Sequence, residues 1–155
     1  MRAPHLPDPP VSSEYEISLE EDATPADIES VVRKLVGYNE RHVPPEERKS
    51  LLLLVRDDGR RVVGGLAGFT RWSWLFVDTL WLADEMRGRG LGSELMRRAE
   101  EEAIRRGCRH AYLDTFSFQA RGFYERLGYE VFGRLDDFPE GHARYFLQKR
   151  ELGCS

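Results

Sequence analysis

The sequence predicts an α/β domain built on a mixed sheet, and two observations carry that prediction. An apolar hairpin and a third apolar run come early, which calls for antiparallel strands. Farther on, strand, helix and strand alternate, and such a crossover lays its two strands parallel. Helices are expected on both faces of the sheet. The 155 residues favour one domain with a single core.

In chain order, Tyr15, Ile17 and Leu19 alternate with polar residues and predict a half-buried strand. Thr24 is an N-cap, Pro25 suits the first helical position, and Ile28, Val31, Val32 and Leu35 recur at helical spacing. Pro44 and Pro45 close that helix, and "EERKS" allows a short second one. The runs "SLLLLVRD" and "RRVVGGLAGFT" flank an Asp58-Gly59 turn; Gly64, Gly65 and Gly68 point to a bulge or a close backbone approach. "WLFVDTLWLADE" is the third strand, and strict alternation puts Trp74, Phe76, Asp78, Leu80 and Leu82 on one face. Leu91, Leu95, Ala99 and Ala103 then make a helical stripe that Gly107 ends, with Glu94 to Arg98, Glu101 to Arg105 and Glu102 to Arg106 as surface pairs. "RHAYLDT" is a strand, "FQARGFYERLG" a helix, and "YEVFGRL" and "ARYFLQKR" are two closing strands.

Composition narrows the function. Apolar residues at 41% and charged ones at 32% are ordinary for a globular protein, and a net charge of −4 gives no electrostatic case for nucleic acid or an anionic membrane. No apolar run has the length of a membrane span. Residues 1–13, with four prolines, read as a flexible tail, and residues 151–155 as a C-terminal tail. Cys108 and Cys154 have no metal or redox spacing, which suits a reducing cytoplasm and a site without metal.

The chemistry concentrates in "MRGRGLGSELM", where Gly88, Gly90 and Gly92 alternate with Arg87, Arg89 and Leu91 between a strand and a helix. A helix start presents unpaired N–H groups and the positive end of its dipole, a natural anion site. Ser93 breaks the dinucleotide-binding pattern, and the P-loop pattern fails there too and lacks its lysine. What remains, Arg87-x-x-Gly90-x-Gly92, resembles the pyrophosphate-binding signature of the GNAT superfamily of acetyl-CoA-dependent N-acetyltransferases. Ala120 and Phe123-Tyr124-x-x-Leu127-Gly128-Tyr129 are similar to that family's second conserved block, and the element order over residues 15–150 is the family's order.

The resemblance implies a single acetyltransferase domain over residues 14–150, whose mostly antiparallel sheet has a central, splayed parallel pair. It implies acetyl-CoA as cosubstrate, its pyrophosphate on the backbone from Arg89 to Ser93 and on Arg87 and Arg89, unless those arginines are plain surface charge. The pantetheine arm would pair with the backbone of Leu80, Trp81 and Leu82 and lie near Ala120 and Phe123. An N–H in that strand would face the thioester oxygen. Many relatives carry an asparagine where this chain has Ser117; that residue or Gln119 would replace it.

Tyr124 is the candidate general acid for the leaving thiolate, against the alternative of a buried helix tyrosine. Tyr129 reads as structural. Asp78 is a candidate base, amine ligand or internal hydrogen-bonding group, and burial in its apolar strand would raise its pKa. Tyr38, Asn39, Arg41 and His142 are candidate acceptor contacts. Trp72, Trp74 and Trp81 suit an acceptor pocket, core cover or a homodimer interface equally. The reaction implied is direct acetyl transfer to a primary amine, of a small molecule first and of a peptide or protein second. A non-catalytic acyl-CoA-binding module is the alternative from another class.

Overall fold

The computed structural model describes residues 15–154, and the proline-rich segment read as a tail, residues 1–13, lies outside them. The chain divides into two compact units, residues 1–44 and residues 45–155.

The first unit contains α1 (Pro25–Asn39). It starts as its sequence dictates: Thr24 Oγ1 accepts from the Asp27 N–H while Asp27 Oδ2 accepts from the Thr24 N–H at 2.9 Å, a reciprocal cap, and Pro25 opens the helix. The strand expected at Tyr15, Ile17 and Leu19 does not form; residues 15–20 are irregular. A strand needs a neighbour for its N–H and C=O groups, and this unit offers none among the described residues. The second helix expected at "EERKS" is absent as well. Glu47 takes a positive φ of 45°, and the chain runs directly into a strand.

The second unit is a six-stranded sheet of β1 (Lys49–Arg56), β2 (Val62–Arg71), β3 (Trp74–Leu82), β4 (His110–Phe116), β5 (Glu130–Asp136) and β6 (Ala143–Lys149), in the order β1-β2-β3-β4-β6-β5. Only β3 and β4 pair in parallel; every other neighbour is antiparallel. The crossover between them carries α2 (Leu91–Arg105), and α3 (Arg121–Arg126) links β4 to β5. Both helices share one core with the sheet. Leu95, Met96, Ala99 and Ala103 of α2 and Tyr124 of α3 join Leu51, Leu66, Leu75, Val77, Leu113 and Leu147 from the strands. Sheet and helices hold together mainly by this apolar burial.

The β2 glycines are there because backbone passes close. A Cβ at Gly68 would lie 2.1 Å from the Phe76 carbonyl oxygen, and one at Gly65 would lie 2.6 Å from that of Leu53. At the same place the β2–β3 register slips, Ala67 facing Thr79 and Gly68 facing Val77, so Asp78 is an extra residue bulged out of β3. The bulge overturns the single face expected for β3. Leu75 and Val77 point into the core, and beyond the bulge so do Leu80 and Leu82, while Trp74 and Phe76 lie on the opposite face.

On the surface of α2, Glu94 pairs with Arg98 and Glu102 with Arg106 as expected. Arg105 instead meets Glu102, one residue nearer than Glu101, which pairs with Arg97. Gly107 closes the helix at φ 87°. Residues 151–154, read as a tail, turn back: the Leu152 N–H donates to the Arg109 carbonyl at 2.7 Å and its side chain joins the core.

Candidate active site

The site begins where the parallel pair ends. β3 and β4 are in register from Trp74 and His110 to Val77 and Leu113, and no farther. β3 continues to Leu82 against β2, and β4 continues to Phe116 against β6, so the two part like a fork. The Ala83 N–H donates to Val63 of β2 at 2.9 Å. Successive residues of a strand turn their N–H groups to opposite edges, so Leu80 and Leu82 turn theirs toward the gap. The Leu82 carbonyl faces the same way and accepts from Arg87 Nε at 3.3 Å. An extended ligand can pair with this edge as an added strand.

The glycine loop stands at the far end of β3. A single 3₁₀ turn at Asp84–Met86 leads into it, Gly88 and Gly90 have φ of 71° and 76°, and Gly90 is the N-cap of α2. Left-handed backbone at two alternate residues turns the chain sharply, which glycine alone does cheaply. Gly90 has no side chain to cap the helix, so the first N–H groups of α2 are left for an outside acceptor. Gly92 has another role: a Cβ there would lie 3.3 Å from the Phe123 ring and 3.8 Å from Leu82. The loop, the free edge of β3 and α3 therefore converge at Gly92. Arg87 reaches back to the end of β3 and the turn after it, its Nη2 3.5 Å from Asp84 Oδ1, and both Arg87 and Arg89 are exposed.

On α3, whose N-cap is Ala120, Phe123 and Tyr124 pack edge to face with centroids 5.0 Å apart. Tyr124 is buried, and its phenol is pushed up to about 12 first by that burial and then by the charge of Asp114. Its hydroxyl has no hydrogen-bond partner among the described residues. Since no fully enclosed polar side-chain atom among them lacks a partner, the hydroxyl is not sealed off from its surroundings. Tyr129 contrasts with it: its hydroxyl donates to Glu100 Oε1 at 3.0 Å, and Glu100 is also bound by Lys149 at 2.8 Å.

The structure brings Ser117 and His142 together, Oγ to Nδ1 at 3.2 Å, and Ser117 Oγ also accepts from the Ala143 N–H at 3.1 Å. Gln119 Oε1 accepts from the Phe116 N–H at 2.9 Å and from Thr115 Oγ1 at 3.1 Å, closing the end of β4. Both residues expected to replace the family's asparagine thus hold the β4–α3 turn. Asp78 departs from expectation in its surroundings: the bulge leaves it exposed rather than enclosed by apolar neighbours. Trp81 is half-exposed at the free edge. In the first unit the Tyr38 ring packs at a tilt against His42, centroids 4.7 Å apart, with the Arg41 guanidinium 5.3 Å from its centroid.

One charged pair at the fork escaped the sequence reading. Asp114, the first residue of β4 beyond the last parallel pair, accepts from Arg144 Nε at 2.8 Å. They are 30 residues apart, and only the β4–β6 register brings them together. Among the described residues, no group of three or more His, Cys, Asp or Glu side chains gathers as a metal site, and no helix is long and apolar enough to cross a membrane.

Comparison with known proteins agrees with this geometry: residues 14–129 match the model of the acetyltransferase (GNAT) family. The chain belongs to the GNAT acetyltransferase family. Acetyltransferase Atu2258 of Agrobacterium fabrum is 38% identical over 130 residues, 83% of this chain and 95% of that protein. The blasticidin-S acetyltransferase of Streptomyces morookaense is 44% identical over 89 residues, 57% of this chain and 65% of its own length. A crystal structure of an acetyltransferase from Bacillus cereus superposes with a TM-score of 0.78 at 32% identity, covering 86% of this chain and 97% of that one.

Proposed function

We propose that this GNAT acetyltransferase moves the acetyl group of acetyl-CoA to a primary amine of a small molecule by direct attack, with Tyr124 as general acid. The carrying observation is the fork: β3 and β4 part after Val77 and Leu113, and the free β3 edge leads to the unpaired N-terminus of α2. The backbone N–H groups from Arg89 to Ser93 hold the pyrophosphate, Arg87 and Arg89 add charge, and the edge at Leu80, Trp81 and Leu82 pairs with the pantetheine arm beside Ala120 and Phe123. An N–H of that edge meets the carbonyl oxygen as negative charge develops on it.

The amine nitrogen, having lost a proton to water, bonds to the carbonyl carbon. The carbon–sulfur bond breaks, Tyr124 gives its proton to the departing sulfur, and the nitrogen sheds its second proton to water, from which the Tyr124 phenolate takes one back. A phenol held near 12 keeps that proton at neutral pH, and its hydroxyl has no competing partner among the described residues. Direct transfer fits the cysteines. Cys108 is buried with its thiol pushed up by burial, the reverse of an activated nucleophile, and Cys154 lies near the chain end. Two free thiols also fit a reducing cytoplasm. The blasticidin-S acetyltransferase among the relatives favours a small-molecule acceptor.

Tyr124→Phe tests the reading. Calorimetry should find acetyl-CoA binding unchanged, while thiol release in the presence of amine falls about a hundredfold. Unchanged turnover would remove Tyr124 from the mechanism.

A further inference from the structure

We propose that Asp114, clamped by Arg144, receives the acceptor's ammonium group at the fork, and that the acceptor is a singly charged primary amine on an apolar or aromatic body. The inference rests on the acetyltransferase reading above and goes on to name the acceptor's chemistry. Its starting point is register. Val77 and Leu113 are the last β3–β4 pair and both point into the core under α2 and α3, so the next residue of β4, Asp114, points to the opposite face. Helices α2 and α3 shield one side of anything lying in the fork. Within this unit, attack on a carbonyl held there comes from the other side, the side of Asp114.

Asp114 is set in an aromatic frame. Tyr112 and Phe116 flank it on its own strand, and Phe146 is its register partner on β6. Its side chain is only 17% exposed, which a carboxylate tolerates when a cation compensates it. Arg144 does so through a single bond, Nε to Oδ1 at 2.8 Å. Oδ2 has no partner among the described residues, and no enclosed polar side-chain atom among them lacks one, so Oδ2 is open to a ligand. An ionised carboxylate accepts only, and the complement of an open Oδ2 is a donor. An ammonium supplies that donor together with the opposite charge.

Arg144 fixes the geometry and sets the selectivity. Its guanidinium lies over Phe116, Phe138 and Phe146 at 5.6, 5.2 and 5.1 Å, so it is held where it is. A second positive charge on the acceptor would meet it and be repelled, whereas an apolar or aromatic body would lie on the exposed rings of Phe118 and Phe138. Polyamines are therefore poor acceptors. From the opposite face of the sheet, the Asp114 charge still acts on Tyr124 and helps to raise its phenol.

The test measures acetyl transfer from acetyl-CoA to 2-phenylethylamine and to spermidine, by thiol release, in wild type, Asp114→Asn, Asp114→Glu and Arg144→Gln, with acetyl-CoA binding followed by calorimetry. The expected result has wild type preferring 2-phenylethylamine. Asp114→Asn raises its KM at least tenfold with acetyl-CoA affinity unchanged, Asp114→Glu restores part of that loss, and Arg144→Gln narrows the preference over spermidine. An unchanged KM in Asp114→Asn, or a wild-type preference for spermidine, overturns the proposal. Acetyl-CoA binding with transfer to neither amine overturns the acceptor class and leaves the cosubstrate reading standing. Absence of acetyl-CoA binding in wild type sinks both.

Discussion

Tyr124 and Tyr129 stand edge to face with ring centroids 6.2 Å apart, yet only the Tyr129 hydroxyl is engaged. Tyr129 donates to Glu100, which Lys149 holds in turn, so this tyrosine ties α2 to the β5–β6 end of the sheet. Tyr129→Phe should therefore lower stability by about 1 kcal/mol and leave turnover close to wild type. Denaturant melts and thiol-release assays on both tyrosine variants check the division. A Tyr129→Phe enzyme as slow as Tyr124→Phe would show that the division is wrong.

The glycines separate into two kinds by what a side chain would meet. Gly90 has open space around its Cβ position but a φ of 76°, so Gly90→Ala should cost about 1 kcal/mol from backbone conformation alone and weaken acetyl-CoA binding severalfold. Gly68 is limited by space, since its Cβ would fall 2.1 Å from the Phe76 carbonyl. Gly68→Ala should cost more than about 3 kcal/mol, because backbone must move. Equal melting temperatures for the two variants would refute the distinction.

Arg106 fastens the end of α2 to the sheet. Its Nη1 donates to the carbonyls of Lys49 and Ser50 at 3.2 and 3.1 Å and to the buried Thr70 hydroxyl at 3.3 Å, while its Nε meets Glu102. Arg106→Ala should destabilise the protein by about 2 kcal/mol, several degrees in Tm, with acetyl-CoA affinity retained. Calorimetric melting and titration read the two effects separately.

The pH dependence follows from Tyr124. A phenol raised to about 12 stays protonated across the working range, so kcat/KM should climb as the acceptor amine loses its proton and show no tyrosine-linked decline below pH of about 11. The same shift contributes stability that is fully present below the unfolded phenol's pKa, about 10, and is lost as pH rises through about 12. A tyrosinate absorbance titration of wild type against Tyr124→Phe checks it. A transition near 10 assigned to Tyr124 would contradict the burial argument.

The parts of this site legible in the sequence are those whose chemistry is local. Gly88 and Gly90 announce the loop because the left-handed backbone they permit is a property of those residues, and Gly107 ends α2 for the same reason. The cap that Thr24 gives α1 is equally local, while its reciprocal partner Asp27 is found only in the structure. Gly68 announces a bulge or close approach, but not that Asp78 of β3 is the residue bulged out: that belongs to the fit of β3 on β2, and alternation within one strand does not register it. For the same reason Asp114 passed as one more polar residue of a strand until β6 brought Arg144 to it. Residues 15–19 alternate like a strand, but alternation supplies a face and not a partner.

The central claim, that the α2 N-terminus and its glycine loop hold the pyrophosphate of acetyl-CoA, is tested most directly by calorimetric titration of wild type and Gly90→Glu with acetyl-CoA, with adenosine diphosphate, NAD and ATP as controls. A glutamate at Gly90 brings negative charge to an anion site and a side chain to left-handed backbone. The account predicts wild-type binding of acetyl-CoA in preference to NAD and ATP, weakened at least about tenfold in the variant. Equal binding by both proteins, or no binding by wild type, would contradict it.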